Sequence, residues 1–423
     1  MTQRHRSQPL GIARHGRLPR RRGGVRSAGI VGAAAAVVLV SATSLVAIAG
    51  AQLDAAPHTV ALSTDDQSTA RAADITAIPG GANILLIGSD TRVGQFDAAD
   101  GLAGARNDVT ILVHVSADHT RLTAVSFPRD LEIPLPSCRN PESGTTYPAA
   151  SKALLNTALG HGGISCVVDT VENLTGVTIP YAGLITFDGV IAMSNAVGGV
   201  DVCVAKPIDD DYVGLHLSAG THALSGATAL EFLRSRHGVG DASDLARISS
   251  QQVFLSALLR EVTSDGTLSD PVTLYRLAGA ALSNMTLSDG LHQPRTIVGL
   301  ASMLRSMDTS DMLFVQYPVT DDPDSPAHVL ADPEPAHALD VAIQDDESTS
   351  LSDSTTGRAS TPVTAAPPTS DAANGSASAP GSTQGQPDEP SPSATPSASG
   401  LLTPLPSSIT GQSAAEQTCA VGS

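Results

Sequence analysis

The chain contains no tryptophan and few aromatics of any kind: six Phe and five Tyr, with aromatics at 3% of its 423 residues. An all-β, lectin-like sandwich built on stacking aromatics is therefore a poor starting hypothesis. Positive charge is also in deficit, with 24 Lys and Arg against 42 Asp and Glu and a formal net charge of −18. That balance argues against general affinity for nucleic acid. Cysteine is scarce, four in all, and none stands in a C-x-x-C pair, so thiolate metal binding is set aside too.

Charge is missing altogether from Ala28 to Ala51, a run of Ala, Val, Ile, Leu and Gly with a few Ser and Thr. At helical rise such a run reaches about 36 Å, enough to cross a hydrocarbon core of about 30 Å. Before it lie eight Arg and no acid within residues 1–26; after it come Asp54, Asp65 and Asp66. The positive-inside rule then predicts a single-pass protein of the cell membrane, N-terminus cytoplasmic and the rest outside. A cleaved signal peptide is the competing reading, since Ala47-Ile48-Ala49 and Ala49-Gly50-Ala51 are small-x-small sites. The run is longer than a usual signal core, which favours a retained anchor.

At the other end, Ser348 to Ser423 holds ten Pro, no aromatic residue and one basic residue, Arg358. Such a composition buries too little apolar surface to offset ordering entropy, so a disordered tail is expected. The chain thus divides into a basic cytoplasmic segment (1–27), an anchor (28–51), a linker (52–78), one extracytoplasmic domain (79–345) and a tail (346–423).

Within the domain, strands and helices alternate. Asn83–Ile87 reads as a buried strand, and Val109–Val115 and Leu122–Phe127 as a hairpin-like pair. Helices are expected at Ala149–Leu159, Cys166–Leu174, Phe187–Val197, Gly226–Arg236 and, most strongly, Asp244–Val262. The fold class is α/β, an α-β-α sandwich with a mixed central sheet, preceded by one transmembrane helix.

Polar chemistry concentrates at the ends of these elements. Gly88-Ser89-Asp90-Thr91-Arg92 follows one strand, Arg106-Asn107-Asp108 opens another, and Ser126-Phe127-Pro128-Arg129-Asp130 closes a third. Arg234-x-Arg236 precedes Asp244-x-x-Arg247-x-x-x-Gln251. A lone Arg–Asp pair at a strand end is ordinarily a structural salt bridge. Four such sets together suit Mg²⁺ on carboxylates and phosphate oxygens on arginines, a site for a metal-bound pyrophosphate.

In order and spacing these blocks resemble the LytR-CpsA-Psr family of membrane-anchored phosphotransferases. The matching stretches are NILLIGSDTR, RNDVTILVHV, LTAVSFPRDLEIPL, KALLNTALGHGG, TVENLTGV, DGVIAMSNAVGGVDV, HLSAGTHALSGATALEFLRSRHG and DLARISSQQ. The later FVQYPVTDDPDSP is similar to actinobacterial members. The resemblance implies Mg²⁺ (or Mn²⁺) held by Asp90 and Asp108. It implies a phosphate and lipid head-group set of Arg92, Arg129, Lys152, Arg234, Arg236, Arg247 and Gln251, with Asn156 beside Lys152. Arg129, Asp130, Arg236 and Arg247 would act in the reaction. Ser250 departs from the pattern, which often has another Arg there.

The implied activity is transfer of a glycopolymer from a polyprenyl-pyrophosphate carrier to peptidoglycan, at the muramic acid C6-OH, releasing polyprenyl phosphate. Partners would be that lipid-linked glycan, peptidoglycan and membrane lipid, with no nucleic acid. The extended match and the dominance of Arg over Lys point to arabinogalactan before a teichoic-acid-like polymer. The alternatives are a prenyl-phosphate-binding scaffold, a lipid pyrophosphatase without transfer, or a transcriptional attenuator. A lipid tail needs an apolar tunnel, for which Val190, Ile191, Val197, Leu230 and Phe232 are candidates. Cys138 and Cys166 are the expected disulfide of an exported protein, leaving Cys203 and Cys419 over; four cysteines permit three pairings.

Overall fold

The apolar runs become the middle of one mixed sheet. In the computed structural model the described residues are 59–62, 81–90, 105–140, 143–264, 271–292, 294–352, 356–363 and 402–423. All lie in one compact unit, Pro57–Ser423. In chain order the elements that frame the site are β1 (Ala82–Ser89), β2 (Asn107–Val115), β3 (Leu122–Phe127), α1 (Ala158–Thr175), β4 (Tyr181–Thr186), α2 (Phe187–Val197), β5 (Val200–Lys206), β6 (Gly220–Leu224), α3 (Gly226–Arg234), α4 (Asp244–Thr263), β7 (Met285–Ser288), β8 (Met312–Gln316), α5 (Pro333–Gln344), β9 (Gly411–Ser413) and β10 (Thr418–Val421).

The main sheet has eight strands, ordered Thr59–Val60, β7, β4, β1, β2, β3, β8, β9. Antiparallel pairing of β1 with β2 and of β2 with β3 gives the expected hairpins, while β4 and β8 join in parallel to β1 and β3. Leu85, Ile87, Leu112, Val125 and Phe127 turn one sheet face toward Val167, Val168 and Val171 of α1 and Leu339 and Ile343 of α5, forming the principal core. A second core lies around a four-stranded sheet (β6, β5, β10 and Ser360–Pro362), with Phe232 of α3 and Val253 and Phe254 of α4. Phe232 is wholly buried there and packs on Phe254, so it belongs to that core. Val190, Ile191, Val197 and Leu230 are half-buried.

Helix α4 departs from a simple amphipathic reading, because Asp244 through Phe254 are all buried, polar residues included. Several of its groups are hydrogen-bonded: the Ser250 hydroxyl donates to the Arg247 carbonyl, and Gln316 Nε2 donates to the Leu245 carbonyl. The helix expected at Ala149–Leu159 is instead a strand (Ala150–Leu154) paired with Glu132–Leu135, then a 3₁₀ turn at Leu155–Thr157. Tertiary pairing overrides local preference there.

Two boundary expectations change, and one open pairing is resolved. Within the supposed linker, Thr59–Val60 pairs with β7 and Leu62 is buried in the principal core. The supposed tail is not uniformly disordered: β9 extends the main sheet, β10 enters the second sheet, and Leu405 and Ile409 join the principal core. Averaging the composition over the whole segment hid these few apolar residues, which borrow existing sheet edges rather than building a core of their own. Finally, Cys203 and Cys419, left unassigned by sequence, form a disulfide; Cys138 and Cys166 form the other. Gly162 permits the latter, since a Cβ there would lie 2.7 Å from the Cys166 Cβ and 2.8 Å from that of Cys138.

No helix among the described residues is long and apolar enough to cross a membrane. The expected anchor at 28–51 lies outside the described residues.

Candidate active site

Strand ends bring the carboxylates and guanidinium groups together. Asp90 leaves the end of β1 and Asp108 enters β2, where a register shift after Gly88 pairs Ser89 with Asn107. Gly88 is required for this approach, because a Cβ there would come within 2.9 Å of Val109 Cβ. Asn107 is fully buried; its amide donates to Thr110 Oγ1 at 3.0 Å and its carbonyl accepts from the Leu159 N–H, tying β2 to the start of α1. Asp90 opens to solvent, yet surrounding protein and the facing Asp108 carboxylate raise its pKa, while Arg234 opposes them.

The turn after β3 places Arg129 at the centre. Its backbone is pinned on both sides: the Leu131 N–H donates to the Pro128 carbonyl, and the Asn156 N–H to the Arg129 carbonyl. Its guanidinium reaches Asp108 Oδ1 (2.8 Å), Asp130 Oδ1 (3.5 Å) and Asp244 Oδ1 (3.6 Å), and its backbone N–H donates to Asp244 Oδ2. Burial pulls the Arg129 pKa down, but these three carboxylates outweigh it and hold the cation more firmly than usual. Arg247 is 5% exposed; it pairs with Asp244 at 2.7 Å and donates to the Asp108 carbonyl at 2.7 Å. Arg236 lies 3.6 Å from Asp130. Arg234 stacks over Phe187, 4.4 Å from the ring centre. Burial, then the Asp244 charge, raises the Asp130 pKa against Arg129, Arg236 and Arg247.

Asp90, Asp108, Arg129, Asp130, Arg234, Arg236 and Arg247 therefore lie in one network. Arg92 lies outside the described residues. Lys152 is committed elsewhere, to Glu132 (2.5 Å) and Asp322 (3.0 Å). Gln251 donates its amide to the Leu233 carbonyl at 2.8 Å, anchoring the end of α3 just before Arg234. Ser250 is wholly buried and places a hydroxyl where the family pattern often has a cation.

Two residues have roles that the sequence does not assign. Asp244 stands in the fourth polar block and near the start of a helix, and in the structure it is the carboxylate that Arg129 and Arg247 share. Asp210 is 2% exposed and accepts from the Ser235 hydroxyl and the N–H groups of Arg236, His237 and Gly238 on one oxygen, and from the Tyr212 N–H on the other. It fixes the loop that presents Arg236. A buried Asp on a short strand has no local signature, so only the structure reveals it.

For a divalent cation, Asp90 and Asp108 have hard oxygen ligands and a mutual repulsion that a cation would relieve, which fits Mg²⁺. Among the described residues, two groups of three bring ligand atoms close enough to hold one cation, Glu132–Asp322–His328 and Asp209–Asp211–His216. In the first, the Lys152 ammonium already neutralises Glu132 and Asp322.

The LytR_cpsA_psr family profile matches residues 45–336. The chain is 30% identical over 272 residues to the cell wall biosynthesis protein LcpA of Corynebacterium glutamicum, covering 58% of this chain and 52% of that one. It is 27% identical over 271 residues to the polyisoprenyl-teichoic acid–peptidoglycan teichoic acid transferase TagT of Bacillus subtilis, covering 62% and 79%. Against LcpA the match thus spans about half the relative's length. Among solved structures, protein gbs0355 from Streptococcus agalactiae aligns with TM-score 0.51 and 22% identity over 63% of this chain and 88% of that one, a likeness of fold.

Proposed function

The chain belongs to the LytR-CpsA-Psr family, and from that premise we propose a phosphotransferase that moves a glycopolymer from a polyprenyl-pyrophosphate carrier onto peptidoglycan. It would work outside the membrane, held by the 28–51 anchor. The observation that carries the reading is the charge balance of the network, in which Arg129, Arg234, Arg236 and Arg247 stand among Asp90, Asp108, Asp130 and Asp244. Four positive groups against four negative ones give little net pull on a free anion. A pyrophosphate diester that arrives with a divalent cation adds no net charge and exchanges one set of partners for another.

Mg²⁺ bound at Asp90 and Asp108 would supply charge neutralisation at the phosphate oxygens. The protein's own groups do the rest. Arg129 and Arg247, held by Asp108, Asp130 and Asp244, are oriented before substrate arrives, so little reorganisation is needed as charge develops. Arg234 and Arg236 sit at the more open side, suited to the lipid-bearing phosphate. The acceptor hydroxyl forms a bond to the glycan-side phosphorus and the polyprenyl phosphate leaves with the bridging oxygen. Asp130, whose pKa burial raises, is the carboxylate best suited to take the hydroxyl proton.

The test is transfer of labelled lipid-linked glycan to peptidoglycan by the full-length protein in detergent with Mg²⁺. Transfer above an Asp90→Ala, Arg129→Ala control, and its loss on chelation, is the expected result. Release of polyprenyl phosphate without label on peptidoglycan would instead favour the pyrophosphatase alternative.

A further inference from the structure

Beside the arginine network stands a feature that the chemistry above does not use. The short strands Ile208–Asp210 and Leu215–Leu217 form a hairpin, and Tyr212 in its turn is 81% exposed. Its ring stacks on His237, with centroids 4.1 Å apart and planes 24° from parallel. Among the described aromatic residues, Phe127, Tyr181, Phe232, Phe254, Phe314 and Tyr317 are buried and Tyr147 and Phe187 are half-buried, whereas Tyr212 stands exposed. The stack is also built rigidly. The single Asp210 carboxylate binds the Tyr212 N–H on one side and the Arg236, His237 and Gly238 N–H groups on the other. The hairpin, the ledge and Arg236 are thus locked in one geometry.

We propose that the Tyr212–His237 ledge binds the face of an uncharged sugar ring of the acceptor glycan, setting the acceptor beside Arg236; this rests on the transfer reading above. A flat, exposed aromatic surface suits the C–H face of a pyranose. The rim supplies hydroxyl acceptors, since Asp209 and Asp211 are exposed and His216 bonds to Asp209. Those same two carboxylates disfavour a phosphate group on the ledge, whereas a sugar ring without phosphate meets no such repulsion. The ledge therefore suits the uncharged acceptor ring and leaves the donor pyrophosphate to the arginine–carboxylate network.

Co-sedimentation with purified peptidoglycan sacculi, and transfer kinetics with soluble glycan strands, test this on the full-length protein in detergent. Tyr212→Ala should weaken sacculus binding and raise the acceptor KM about threefold to tenfold, the scale of one aromatic contact. Tyr212→Phe should behave as the parent, and the donor KM should stay put in both. Unchanged sacculus binding in Tyr212→Ala, or a rise confined to the donor KM, would overturn the ledge. If sacculi are bound through Tyr212 and no transfer occurs, the transfer reading fails and the ledge stands.

Discussion

The Cys203–Cys419 disulfide closes a sequence separation of 216 residues, whereas Cys138–Cys166 closes 28. Loop-closure entropy grows with the logarithm of that separation. It gives about 5 kcal/mol for the long bridge and about 3.5 kcal/mol for the short one. Packing makes the two sites comparable otherwise, since all four cysteines are buried or nearly so. The long bridge also pins β10, an inner strand of the second sheet, so its loss removes an anchor as well as a constraint. Replacing Cys203 and Cys419 by Ala in the full chain should therefore cost about 2 kcal/mol more than replacing Cys138 and Cys166. Urea unfolding followed by far-UV circular dichroism measures this directly; without tryptophan, intrinsic fluorescence is a poor probe. An equal or smaller loss for the Cys203/Cys419 pair would refute the reasoning. So would a free thiol at Cys419 in the non-reduced protein.

Asp340 is buried and bonded to the Tyr317 hydroxyl at 3.1 Å, and burial pushes its pKa up to about 7. A raised acid favours the folded state at low pH, so this contribution is full below about pH 4 and is lost as pH rises to about 7. The slope is at most about 1.4 kcal/mol per pH unit. Asp340→Asn should flatten it, read from unfolding midpoints between these limits; an unaltered slope refutes the assignment. Asp210 has the opposite sign: burial raises its pKa, but its hydrogen bonds from Ser235, Gly238, Arg236 and Tyr212 outweigh this and lower it. Its stabilisation is present above about pH 4 and is lost as pH falls through the lowered folded value. Asp210→Ala should cost about 2–4 kcal/mol at neutral pH, measured by thermal or urea unfolding. Arg247→Ala leaves Asp244 without its shortest partner and should cost about 3 kcal/mol along with activity. Arg236→Ala, at a partly exposed site, should abolish transfer with a stability change under about 1 kcal/mol; equal unfolding midpoints for these two variants would contradict the burial argument.

Legibility in the sequence followed the locality of the signal. Strand β1 and helix α2 could be read because their apolar periods and end signals are contiguous; α2 begins and ends at Phe187 and Val197, as expected. The blocks around Asp90, Asp108, Arg129 and Arg247 were visible because each places charge at an element's end. What escaped notice depends on partners far away in the chain. Ala150–Leu154 is a strand only because Glu132–Leu135 pairs with it. Asp210 matters only because a loop 25 to 28 residues away folds over it. Lys152 carried the right charge for a phosphate ligand, but Asp322, 170 residues on, takes it.

The C-terminal segment shows why such distant partners reach the chemistry. Gln412 on β9 is 1% exposed; its amide donates to the Gln252 carbonyl and the Ser256 hydroxyl of α4, and its own oxygen accepts from Thr418. Thr410 donates to Gln316, whose amide in turn holds the Leu245 carbonyl. Arg260, further along α4, donates to the carbonyls of Ala414 and Glu416. Two buried glutamines and one arginine thus fasten α4 at its first turn, its middle and its end. Buried polar groups are costly unless satisfied, so a helix fastened this way has few alternative positions. Because Asp244 and Arg247 lie on the first turn, the placement of the shared carboxylate and its arginine is set by residues 410–418. A segment whose composition reads as mere tail therefore helps to aim the cations of the site.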